Sequence, residues 1–343
     1  MSVAEAIRER DAARLPGKRD EDWRWTDLRG LIRQVPPPSA EVDPAVVGAG
    51  PFDALTDERV VIVNGLGAVH IGVEPGEAKV VVLRHVSRGD GAHAARVSVE
   101  VEAGGRLTLL ESYEGDAGGY LAQAGLLFSL GKDATLERVV LVSDGAEGVT
   151  VSQAEVELSP GAAFAQTVAT SGARRQRIEV RVAHPGGHAG LRLDGVYILD
   201  GKRHADLTSV VTHAGVDGAT DQLAKGVVRD QARAVFQGRI VVAEGADRTD
   251  ARMGHHALIL SDRAEVDAKP ELEIYADDVA CAHGNTVGAL DEDALFYARQ
   301  RGVPEPQARA LLTEAFIGEV VDRIGHEPAR EIVRAWVSER LGG

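Results

Sequence analysis

Segment 275–288, YADDVACAHGNTVG, contains Cys281, the one cysteine in 343 residues, with His283 two positions on and Asp277 and Asp278 just before it. If 280–283 is extended, side-chain alternation turns the thiol and the imidazole to the same face. A thiolate beside a neutral imidazole suits zinc, iron or an iron–sulfur cluster. Two ligands do not close a site that needs about four. No second cysteine is available, so a metal would borrow ligands from elsewhere, another subunit included. Two further readings stand beside this one. Spacing alone favours a buried small thiol packed next to a hydrogen-bonded histidine. A thiolate–imidazolium nucleophile is the third, but it needs an orienting group that two generic acids do not identify.

The other histidine clusters carry weaker signals. His184 and His188 in HPGGH flank a glycine turn, which predicts surface loop positions. Adjacent His255 and His256 in GHHA face opposite ways if that stretch is a strand. GLGAVHIG at 65–72 lacks the glycine order of a dinucleotide fingerprint, and no phosphate-loop motif or nucleophile elbow occurs. Any ATP used with this protein is therefore bound by a partner. The scattered acids of the central region give no spacing for a glycosidase pair.

The composition narrows the setting. Fifty-three acidic against 38 basic residues give a formal charge of −15, which argues against a binder of nucleic-acid backbones. A single cysteine cannot form an internal disulfide, and the charged N-terminal sequence has no apolar signal core. No stretch approaches the roughly 20 apolar residues that span a bilayer. The expectation is a cytoplasmic protein without membrane or nucleic-acid partners.

The elements that position Cys281 and His283 follow from periodicity. Residues 1–50 read as an N-terminal helical segment and linker, with two tryptophans in DEDWRWTDL and a proline-rich stretch after it. Residues 51–290 read as repeated short strands: Val97, Val99 and Val101 alternate, as do Ala154, Val156 and Leu158, and Ile178, Val180 and Val182. Sandwich, closed barrel and right-handed β-helix all fit many short strands. The length of the run and its 4% aromatic content favour the β-helix, although no clean repeat is visible. Residues 291–343 read as a C-terminal helical domain. Asp291 caps its first helix, Gly302 and Pro304 end it, and Ala308, Leu311, Leu312, Ala315, Phe316, Val320 and Ile324 form the stripe of the second. A third helix carries Ile332, Val333 and Trp336.

Segment 269–302, KPELEIYADDVACAHGNTVGALDEDALFYARQRG, closely resembles the signature of the SufB/SufD family of iron–sulfur cluster assembly proteins. In that family such a run joins a β-helix to C-terminal helices. The residues from Ala308 to Glu319 match the family pattern that follows, and AVFQGRIVV and DEDWRWTDL are similar to its strand and N-terminal elements. The resemblance thus covers motifs spread over most of the chain, and it is nearer to SufD than to SufB. Two departures are Asn285, where alanine is usual, and Met253, where glutamine is frequent.

The resemblance implies a mainly β protein, a right-handed parallel β-helix flanked by N-terminal and C-terminal helical segments. It implies a non-catalytic scaffold subunit of a SufBCD-type complex, pairing with SufB through the β-helix edge and docking the ATPase SufC on its C-terminal helices. Carried over by position, His283 is the first candidate ligand for a nascent iron–sulfur cluster or iron shared with a partner subunit, with Cys281 second. No cofactor is expected to stay tightly bound to the isolated chain, which can form a homodimer through the same edge. The competing expectations are a β-helix polysaccharide lyase or hydrolase and a self-contained metal-binding scaffold.

Overall fold

The computed structural model describes residues 2–65 and 67–342, so Leu66 of the GLGAVHIG stretch lies outside it. Among the described residues, seventeen strands run from β1 (Arg59–Val63) to β17 (Val279–Gly288). Odd-numbered strands form one sheet of nine and even-numbered strands another of eight, each in sequence order. The paired neighbours are parallel, as in Arg59↔Val82 and Thr249↔Val279. The chain therefore alternates between two sheets and climbs one coil with every second strand, which makes a parallel β-helix. The right-handed sense is the rule for such crossovers.

Coil length varies. Arg59 pairs with Val82, 23 residues on, whereas Arg233 pairs with Glu265, 32 residues on. Turns absorb the difference while strand register is kept. Every second side chain points inward, and Val97, Val99, Val101, Ala154, Val156, Ile178, Val180 and Val182 stack in one continuous core. Polar groups are buried in the same interior. Glu111 and Arg138 are fully buried and meet at 2.7 Å, with Gln166 closing the guanidinium's remaining side.

A second apolar layer lies on the outer face of the odd-numbered sheet. There Val82, Leu110, Val139, Ile198 and Val227 pack with Ile317, Val320, Ile324 and Val333 of the C-terminal helical unit. After α1 (Val3–Glu9) and α2 (Leu28–Leu31) of the N-terminal segment, that unit contains α3 (Glu292–Gln300), α4 (Glu305–Val321) and α5 (Glu327–Gly342). Asp291 caps α3 by accepting from the backbone N–H of Asp293 and Ala294. The stripe of α4 differs from the sequence expectation. Ala308, Ile317, Val320 and Val321 are buried, but so is Thr313, while Leu311 and Ala315 face out. The helix packs on both the sheet and α5, which rotates its buried face. Thr313 tolerates burial because its hydroxyl donates to the Arg309 carbonyl.

The N-terminal segment lies across the even-numbered sheet. Val3, Ala6, Leu15 and Leu28 pack against Leu121, Val149 and Val151. DEDWRWTDL supplies a polar latch. The fully buried Arg177 pairs with Glu179 and Asp206, donates to the Asp22 carbonyl and lies 4.3 Å from the centre of the Trp23 ring. Thr26 also bonds Asp206. Removing one member of a buried pair strands the other's charge, at about 3 to 5 kcal/mol. Glu111→Gln is expected to lower stability by about that amount in urea unfolding; a loss under about 1 kcal/mol would show that Arg138 is compensated by other groups.

Candidate functional site

The final coil is where the predicted site residues fall. β17 pairs on one side with β15 (Thr249–Ile259) and ends its sheet; β16 (Glu265–Ile274) ends the other. Register shows what the missing next coil does. Ala251 and Met253 are buried, while their partners one coil on, Cys281 and His283, are half-buried and exposed. The alternation places Cys281, His283 and Asn285 on the inward-facing side of β17, whose interior is open to one end. The expectation that thiol and imidazole share a face therefore holds.

Their environments differ. Cys281 packs against the end of the main core. Burial pushes its thiol pKa up, Asp250 adds to this, and a hydrogen bond with the Ala251 backbone opposes it. A thiol held protonated is a poor nucleophile. His283 is exposed at the sheet edge. Asp277 and Asp278 sit in the exposed turn before β17, where the Asp278 carbonyl accepts from the Arg248 N–H. Among the described residues, no group of three or more histidine, cysteine, aspartate or glutamate side chains is arranged to hold a metal ion. The described residues thus offer two donors on one strand and no third beside them.

The histidine clusters resolve in two ways. His184 is buried, against the expectation of a surface loop, because it ends a strand and packs on His213 of the next coil with ring centres 4.2 Å apart. His188 is the exposed turn residue. His255 and His256 do face opposite ways, inward and outward. Sequence reasoning missed what they touch: His255 meets Asn285 at 2.6 Å and His256 meets Thr286 at 2.7 Å, both on β17. The one available signal was Asn285 itself, a departure from the family pattern.

A groove of about 910 Å³ runs across the starts of the odd-numbered strands, with Ala163, Ala165 and Gly190 in its floor. Its one aromatic lining residue, Phe164, is buried, so it presents no stacking platform for a sugar ring. Among the described residues, no helix is long and apolar enough to cross a membrane.

A parallel β-helix with flanking helices and a terminal strand bearing Cys-x-His defines a class, and comparison with known proteins identifies it. The family described as SUF system FeS cluster assembly, SufBD core domain, matches residues 84–316, and the chain belongs to that family. Within the family it is most like SufD. The iron–sulfur cluster assembly protein SufD of Escherichia coli is 26% identical, over 96% of this chain and 90% of that protein. An iron–sulfur cluster assembly SufBD family protein of Mycobacterium leprae is 30% identical, over 96% of this chain and 92% of its own length. SufD of Bacillus subtilis is 31% identical over 40% of this chain.

The raised thiol pKa makes a prediction for the free chain. At pH 7 Cys281 is expected to react with iodoacetamide more slowly than a free cysteine, and to speed up as pH rises. A rate at pH 7 above that of free cysteine would restore the nucleophile reading.

Proposed function

We propose that this chain is a non-catalytic scaffold subunit for iron–sulfur cluster assembly in the SUF system, pairing with a SufB-type chain along β17. One observation carries the reading: a long terminal strand has an unpaired edge and bears two metal donors with no third nearby. β17 carries neither lysine nor proline, the residues that ordinarily blunt an edge, whereas its companion β16 has both in Lys269 and Pro270. A partner strand would satisfy the free backbone groups of β17 and bring the missing ligands in one step.

In this arrangement the nascent cluster is cargo. His283, exposed and unencumbered by core packing, is the primary donor from this side, and Cys281 the second. A site divided between chains holds its cargo by one or two bonds per chain, so a small separation of the chains releases it. The SufD names of the relatives support the assembly role. The ATPase SufC is assigned to the helical unit, where Phe296, Tyr297 and Leu311 are 61%, 61% and 57% exposed. Large apolar groups that exposed on α3 and α4 suit a protein contact.

Two experiments test these assignments. In a reconstituted complex with SufB and SufC, His283→Ala is expected to keep assembly intact and lower bound iron and sulfide about tenfold, the scale typical for lost metal support. Wild-type cluster yield would remove the ligand role. Leu311→Glu is expected to weaken SufC capture about tenfold or more, or roughly 1.4 kcal/mol. Undiminished capture would place docking elsewhere.

A further inference from the structure

We propose that His255 and His256 are positioning residues that clamp β17 from its two faces, and that the outer half of the clamp ties this edge to α4 through Lys225 and Glu319. The inference rests on the reading of β17 as the cluster-bearing edge. It goes beyond that reading in naming what holds the strand and what connects it to the helical unit.

The inner half is built around a fully buried imidazole. His255 Nδ1–H donates to Asn285 Oδ1 at 2.6 Å, and Nε2 accepts the Tyr197 hydroxyl at 2.8 Å. The ring is stacked on Phe236 at 4.5 Å and 8°. Tyr197 comes from two coils back, and it reaches across because its register partner is Gly226. A Cβ at Gly226 would stand 1.8 Å from the Tyr197 ring. Asn285 is two residues from His283 on the same side of the strand. The contact therefore fixes the stretch of β17 next to the candidate ligand.

The outer half leads to the helical unit. His256 Nδ1 meets Thr286 Oγ1 at 2.7 Å. The register partner of His256 on the preceding coil is Lys225, whose ammonium bonds the Glu319 carboxylate and lies 4.6 Å from the centre of the Phe316 ring. Glu319 and Phe316 belong to α4. Thr286, His256, Lys225 and Glu319 thus stand in line from the terminal strand to the proposed docking unit, hydrogen-bonded at the two ends and joined between His256 and Lys225 by register on adjacent coils. Among the described residues β17 pairs on one side alone, so these ties add to one backbone ladder and to the packing of Val279 and Cys281 on the core in setting its position. Terminal strands held on one side are the first to open locally.

Hydrogen exchange of the full chain, followed by mass spectrometry of peptides covering 279–288, tests the clamp, with peptides covering 121–170 as the control for the fold. Thr286→Val, His256→Leu and Glu319→Gln are each expected to speed exchange of 279–288 by about fivefold to tenfold, the effect of one net hydrogen bond. Thr286→Ser, which keeps the hydroxyl, is expected to exchange as the parent does. Thr286→Val combined with Glu319→Gln should exchange no faster than the faster single variant, because both cut one line of contacts. Unchanged exchange in Glu319→Gln, or fully additive effects, overturns the link to α4. His283→Ala is expected to leave exchange unaltered; if cluster yield in the complex is also unaltered, the cluster reading fails while the clamp stands.

Discussion

Stacking of parallel coils is the constraint on which the structure depends. A strand in this fold satisfies its backbone only through the coils before and after it, and its inward side chains are buried only by those of its neighbours. The interior coils meet the condition on both sides, which is why Val97, Phe128 and Val156 are buried without any covering domain. The last coil meets it on one side. The exposure of His283 and the partial burial of Cys281 follow from their place in the stack.

Buried charge adds specificity to this otherwise repetitive core. An interior of valine, leucine and alanine alone would tolerate slippage, because one coil resembles the next. Glu111 and Arg138 are satisfied only when β5 (Arg106–Gly115) and β7 (Thr135–Ser143) lie in their observed register. Arg177 does the same for the N-terminal segment. Its guanidinium is matched on the sheet by Glu179 and Asp206 and on the segment by the Asp22 carbonyl and the Trp23 ring. These networks select one arrangement among many of similar apolar burial.

Much of the architecture was legible in the sequence, and the reasons vary with the element. Alternation exposed the inward faces of strands such as Ala92–Val101, because a two-residue period survives in short segments. The coil repeat was hidden, because turns of changing length spread it from 23 to 32 residues. Capping chemistry at Asp291 placed α3, whereas the exposed Leu311 could not be foreseen from a stripe that two different surfaces divide. At the site, the shared face of Cys281 and His283 is a local property and could be read. Pairing of His255 with Asn285 depends on register across a coil, which no local pattern encodes.

The two ends of the stack are unlike. β1 and β2 (Ala68–Val73), at the first end, have five and six residues, while β16 and β17 have ten each. Head-to-tail stacking of identical coils would need two matching ends, and repeated without closure it would build a filament. A molecule with one full-length end and one abbreviated end can join through the first and then stops. In the pairing proposed for β17, the short opening strands act as a chain terminator, so that a surface suited to endless addition would yield a pair of finite size.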